Sequence, residues 1–381
     1  MPPLRPPLRP PLLRLLPLLP LLTACLLTAC AQEPPQGRTP YAPSPGMAAV
    51  LSERQAMHAR DLAGLSADRA RDVPGLIDAA RAIPNVAGLP ATGTEVRQFS
   101  QLTGSGAEGP LRARLYRPEL AKDTPVIIYF PGGTWATGTL DSYDETPRQL
   151  SARTGWVVVS LRTRLAPEAT FPGVHDDALA AYQWARAHLR EWGADPTRVA
   201  LAGEGPGANL ALSTALLARD RAALGSPVPT PDHLLLITPL AGTALNTASM
   251  GESGDSRPLT RSTVRWAQDL YAADNLRDPR IDLVSRTDLA GMPPTTVILA
   301  EIDPLRSGGE ELAAKLAAAG VPTEARLFPG TTHDFFGLGT QVAEAAAAED
   351  YAAARLRAAF ARTALPVIGG PVRPARRSRR R

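Results

Sequence analysis

The sequence predicts an α/β fold, a mostly parallel central sheet with helices on both faces. Three observations carry that prediction. Apolar strands at Pro125 to Phe130, Trp156 to Leu161 and Thr295 to Ala300 alternate with helical segments at Asp177 to Leu189, Asn209 to Arg219 and Glu310 to Ala319. The run from Val199 to Leu210 reads as a strand driving into a tight turn and then a helix, with Gly203 and Gly207 flanking the turn. Once the terminal segments of the 381-residue chain are set aside, roughly 320 residues remain, enough for one large core.

The first thirty residues read as an export signal. Arg5, Arg9 and Arg14 precede a leucine-rich run that ends in small residues around Ala29 and Ala31. From Leu15 to Ala29 the run is about fifteen residues with two prolines, short of the roughly 20 that a spanning helix needs. Both cysteines of the chain close a Leu-Thr-Ala-Cys run, at Cys25 and Cys30. That is the pattern of a bacterial lipoprotein signal, with Cys30 the preferred lipidated residue, Cys25 the alternative and plain cleavage around Ala29-Cys30-Ala31 the simpler reading. The expectation is a protein exported and lipid-anchored to the bacterial cell envelope, with no disulfide in its mature body.

Residues 31–46 hold five prolines and no apolar periodicity, which reads as a tether. The globular domain is expected over 47–365. Residues 366–381 form an arginine-rich tail expected to be disordered. The nine arginines of the two ends exceed the chain's formal net charge of +4, so the body between them is acidic and the pI near 9.3 belongs to the termini. No nucleic-acid motif accompanies them.

Within the body several motifs follow in order: Pro131-Gly132-Gly133-Thr134-Trp135, Asp141-Ser142-Tyr143-Asp144, Arg164-Leu165-Ala166-Pro167-Glu168, Gly203-Glu204-Gly205-Pro206-Gly207, Asp303-Pro304-Leu305-Arg306 and His333-Asp334-Phe335-Phe336-Gly337. Together they make the chain, over roughly residues 47 to 362, resemble the hormone-sensitive-lipase-like family of α/β-hydrolase esterases. In that family the first run reads H-G-G-G-W, the third Y-R-L-A-P-E, and the elbow G-D-S-A-G-G-N-L-A. The resemblance implies an α/β-hydrolase fold with a helical cap, contributed here by about 47–90 and 241–283. It implies Asp303 as the triad carboxylate and His333 as the base. An edge-strand homodimer is also within the family's habits.

The departures fall on the reacting groups. Gly205 stands where the family has its serine nucleophile, and Pro206 where a backbone N–H would serve the oxyanion. Pro131 replaces the histidine that opens the glycine loop, and Thr134 its third glycine, leaving Gly132, Gly133 and Thr134 as the remaining oxyanion region. Arg162, Thr163 and Glu204 are milder changes, and Glu204 is expected to keep a buried supporting contact. His175-Asp176-Asp177 has the look of a metal cluster but falls at a helix start with no second ligand group, so neither metal nor cofactor is expected.

Two function classes follow. The first is a non-catalytic envelope lipoprotein whose esterase-like cleft binds a small acyl or aromatic ligand, or a protein partner. The second is a carboxylic-ester hydrolase in which Thr134, Ser142 or a water activated by His333 replaces the serine.

Overall fold

Strands β1 (Thr94–Leu102), β2 (Leu111–Pro118), β3 (Thr124–Phe130), β4 (Val157–Arg162), β5 (Ala194–Glu204), β6 (His233–Ile237), β7 (Thr295–Ile302) and β8 (Thr323–Thr332) form one sheet. Their order is β1-β2-β4-β3-β5-β6-β7-β8. The structure is a computed structural model that describes residues 41–83, 94–102, 111–225 and 228–361. The expected export signal, both cysteines, most of the proline-rich segment read as a tether and the arginine-rich tail lie outside the described residues.

From β4 through β8 every neighbouring pair is parallel, while β1 with β2 and β2 with β4 run antiparallel. The parallel strands β3 to β7 bury side chains on both faces, alternating with period two, while the edge strand β8 is exposed along its first half. Val126, Ile128 and Phe130 join one core with Val159, Leu201 and Leu236. Ile127 and Tyr129 join the other with Val158, Ala202 and Leu235.

The helices are α1 (Pro45–Ala56), α2 (Ala67–Arg71), α3 (Leu76–Ala82), α4 (Glu145–Thr154), α5 (Gly173–His188), α6 (Pro206–Ala223), α7 (Ala248–Ser253), α8 (Arg261–Tyr271), α9 (Arg306–Ala318) and α10 (Ala343–Ala361). Buried residues of α5, α6 and α9 pack on the first face, and those of α1, α3, α4 and α10 on the second. An α/β sheet with helices on both faces is therefore present.

Three details differ from the sequence reading. Helices α5, α6 and α9 begin three or four residues earlier than their apolar spacing suggests, because their first turns carry polar, glycine or proline residues that periodicity does not register. Four further strands join the sheet, and Arg112, Arg114 and Arg117 in β2 are what hide that strand from an apolar search. The chain joins the domain before residue 47. Ser44 is buried, caps α1 by accepting the Met47 N–H, and donates its hydroxyl to Glu344 at 2.7 Å, while Pro45 takes the first helical position.

The two cap segments touch each other. Asp61 accepts the hydroxyls of Thr260 (2.9 Å) and Thr263 (2.7 Å) at the start of α8, and the Trp266 indole donates to the Leu65 carbonyl at 3.0 Å. Arg71 in α2 pins this cap to the loops behind the sheet. It donates to the carbonyls of Ala136 and Ala166 and pairs with Glu168, whose carboxyl it holds down at about 2. Ala166 and Glu168 of the third motif thus anchor the cap through Arg71.

Candidate active site

The site forms where β3, β5, β7 and β8 end, the side of a parallel sheet on which loops gather functional groups. β5 ends at Glu204 and α6 starts at Pro206, so Gly205 alone makes the turn, with φ +53° and ψ −120°. Its N–H donates to the Ile237 carbonyl at 2.9 Å, and its carbonyl accepts the N–H groups of Leu240 (3.0 Å) and Ala208 (3.1 Å). The flanking glycines are needed for approach rather than for chemistry. A Cβ on Gly203 would fall 2.1 Å from the Gly207 carbonyl oxygen, and one on Gly207 would fall 2.2 Å from that of Phe130.

β7 delivers Asp303 and β8 delivers His333, with 1 % and 3 % exposure respectively. Asp303 Oδ2 lies 2.9 Å from His333 Nδ1, while Oδ1 accepts the Leu305 N–H at 2.8 Å. The elbow completes the cluster: a Cβ built on Gly205 would sit 3.3 Å from His333 Nε2. The structure therefore brings residues 205, 303 and 333 together.

It adds a second carboxylate that the sequence reading did not single out. Asp334 holds an oxygen 3.6 Å from His333 Nε2 and accepts the Tyr143 hydroxyl at 2.9 Å, its backbone held at φ +60°. Burial opposes charge on His333, but Asp303 and then Asp334 outweigh it and hold the ring up at about 9. These charges favour the imidazolium, protonated on both nitrogens, over the neutral ring. Asp334 directly follows the histidine in sequence, yet nothing local says that it turns back toward Nε2.

Glu204 is buried under the elbow. One carboxylate oxygen accepts the hydroxyls of Tyr129 (3.0 Å) and Thr146 (3.1 Å), the other has no partner, and burial followed by the nearby Asp334 pushes the group up to about 8. Glu204 makes the buried supporting contact expected of it.

In the loop after β3, a Cβ on Gly132 would fall 2.6 Å from the Tyr143 ring, and Gly133 turns at φ +115° with Thr137 O 2.3 Å from its Cβ position. Thr134 is buried and its hydroxyl pairs with that of Thr137 at 3.0 Å. The hydroxyl of Ser142 is engaged with Thr139, whose N–H it accepts at 2.8 Å. Among the described residues neither hydroxyl hydrogen-bonds His333. Asp144 fixes this loop from below. Its carboxylate, held below its ordinary value by Tyr116, Arg148 and Arg114 against the cost of burial, accepts Tyr116 Oη at 2.6 Å and Arg114 Nη1 at 2.7 Å.

His175 and Asp177 are structural in their contacts. His175 Nδ1 meets the Tyr271 hydroxyl at 2.5 Å and Nε2 the Asn209 amide oxygen at 3.1 Å, tying α5, α6 and α8 together, while Asp177 receives Arg164 at 2.8 Å. Burial pushes His175 down to about 4.

Cap and loops enclose a cleft of about 150 Å³ beside this cluster. Leu62, Leu76, Ile77, Leu259 and Phe336 give it an apolar body, and Arg54, Thr134, His333 and Asp334 its polar wall. A cleft of that size matches the engineered cavities of about 150 Å³ that accept a single benzene.

Fold, strand-end cluster and cap define a class, and the comparisons agree with it. A family model described as alpha/beta hydrolase fold matches residues 127–337, and the chain belongs to that family. The carboxylic ester hydrolase LipN of Mycobacterium tuberculosis is 36% identical over 244 residues, 63% of this chain and 64% of LipN, so the match spans less than two thirds of that relative. Carboxylesterase NlhH of the same species is 33% identical over 272 residues, 70% of this chain and 84% of NlhH. Among solved structures, a thermostable esterase from Pseudomonas putida superposes with a TM-score of 0.72 at 29% identity, covering 83% of this chain and 98% of that one.

Proposed function

We propose that this chain is an envelope lipoprotein in which an esterase scaffold has lost its reacting groups and whose cleft holds a small acyl or aromatic ligand. The observation that carries the reading is Gly205. The turn, the flanking glycines and the Asp303–His333 pair are all present, but residue 205 is a glycine and carries no side chain to present a hydroxyl to Nε2. Loss of the nucleophile alone costs on the order of 10⁶ in rate in serine hydrolases. Pro206, as the first residue of α6, adds the loss of an N–H worth about 10²–10³. A histidine held near 9 by two carboxylates has no free lone pair at neutral pH with which to take a proton.

A second reading, an ester hydrolase using water activated by His333, is favoured by the kept Asp303–His333 pair and by relatives named as esterases. Turnover of p-nitrophenyl acetate by the wild-type body separates the two. Under the first reading it equals that of a His333→Ala variant, and a fluorophosphonate probe labels neither. His333-dependent turnover would establish the second reading instead.

The anchoring part of the proposal rests on Leu27-Thr28-Ala29-Cys30. A Cys30→Ser variant is expected to be processed slowly or to leave the membrane fraction. Normal processing with full membrane retention would transfer the role to Cys25 or dismiss lipidation.

A further inference from the structure

Arg54, in the last turn of α1, lines the same cleft as His333 while being only 7 % exposed. Its Nε donates to the Pro74 carbonyl at 2.9 Å, which fixes the plane of the guanidinium. The two terminal nitrogens have no hydrogen-bond partner among the described residues. The two nitrogens are not sealed off in the interior but open on the cleft, where a ligand acceptor can take the place of water.

The other charges around the cleft are already engaged. Arg71 pairs with Glu168 and Asp68, Asp78 accepts the Gly75 N–H, and Asp334 is shared between the Tyr143 hydroxyl and the His333 ring. Burial and then the like charge of Arg257 work against the Arg54 charge, and the Asp334 and Asp61 carboxylates offset them only in part. A planar two-oxygen anion presents the geometry that matches two adjacent guanidinium N–H groups. The apolar wall of Leu62, Leu76, Ile77 and Leu259 in the same cleft requires that this anion carry a hydrocarbon body.

We infer that the cleft selects a small organic carboxylate, one ring or short acyl chain in size, whose carboxylate docks on the Nη1 and Nη2 atoms of Arg54. This inference deepens the ligand-binding reading of the site and rests on it. Arg54 is then the specificity residue: a neutral ester of the same body offers one uncharged carbonyl acceptor in place of a bidentate, charge-assisted pair.

The test uses benzoate and methyl benzoate as probes of equal ring size, titrated into the purified protein by calorimetry at pH 7. Wild type is expected to bind benzoate at least tenfold more tightly than methyl benzoate. Arg54→Gln should abolish that preference while keeping methyl benzoate affinity, and Arg54→Lys should restore part of it. Retained methyl benzoate binding also reports that the variants are folded. If both probes bind with the same affinity in wild type and Arg54→Gln, the cleft is a ligand site but Arg54 is not its anion anchor, and the inference is overturned alone. If neither probe binds wild type, the inference and the ligand-binding reading fall together.

Discussion

Replacing Gly205 by serine tests the central argument at the atom that matters. The backbone there has φ +53° and ψ −120°, a region in which a side chain costs roughly 1–3 kcal/mol. For a body of roughly 300 residues, that strain lowers Tm by about 2–5 °C. The new Cβ would sit 3.3 Å from His333 Nε2 and 3.6 Å from Cε1, so a staggered Oγ falls within hydrogen-bond reach of Nε2. Chemistry should still lag, because Pro206 supplies no oxyanion N–H and the ring begins the reaction protonated. Adding Pro206→Ala and Thr134→Gly should raise p-nitrophenyl acetate turnover and fluorophosphonate labelling by about 10²-fold over Gly205→Ser alone, the worth of one oxyanion donor. The triple variant should work best at alkaline pH, approaching the His333 value near 9. Adding Asp334→Asn should move that profile toward neutral, since Asp334 is, after Asp303 and ahead of Glu204, one of the three charges that raise the ring. A Gly205→Ser single variant as fast as the triple would refute the oxyanion part of the reasoning. An unchanged profile in the Asp334→Asn background would refute the double clamp on His333.

Further predictions concern stability. His333 is raised from 6.5 to about 9 and Glu204 from 4.5 to about 8. Both raised groups give stability that is complete below their unfolded values and is lost as pH climbs through the folded ones. The urea midpoint should therefore fall between about pH 4.5 and pH 8 for the Glu204 share and between about pH 6.5 and pH 9 for the His333 share, and Glu204→Gln should flatten the first; an equally steep curve in the variant would contradict the assignment. Gly203→Ala, whose Cβ would strike a backbone oxygen at 2.1 Å, should cost far more melting temperature than Gly251→Ala, which meets nothing within 4 Å, and equal effects would show that the strand and helix are free to part. Asp144→Ala takes one of two carboxylates from the buried Arg114, which keeps Asp141, and leaves the buried Tyr116 hydroxyl without its acceptor, so it should cost about 1–3 kcal/mol in chemical denaturation, whereas a loss well below about 1 kcal/mol, the level of an exposed pair, would mean the network is solvated.

Much of the architecture was legible in the chain because it is local. A strand of period-two apolar residues, one turn residue and a helix opening on proline are properties of a dozen consecutive positions, and β5, Gly205 and α6 follow them. The absent hydroxyl and the absent N–H are likewise covalent facts of residues 205 and 206, true whatever the fold does. Strand β8 was not legible because Pro329 and Gly330 interrupt its pattern, and β2 was not because its core-facing set includes Arg114.

What the tertiary structure alone decided is convergence. Arg54 and His333 lie far apart in sequence and meet only because α1 docks beside β8, where the Ser44 N–H donates to the Gly330 carbonyl at 2.9 Å. Asp334 reaches Nε2 only because its backbone turns to φ +60° and Tyr143, from the loop after β3, holds its carboxylate there. The charge state of His333 is then a sum over burial and carboxylates delivered by the ends of β5, β7 and β8. Sheet register and helix docking set those distances, and no window of sequence contains them.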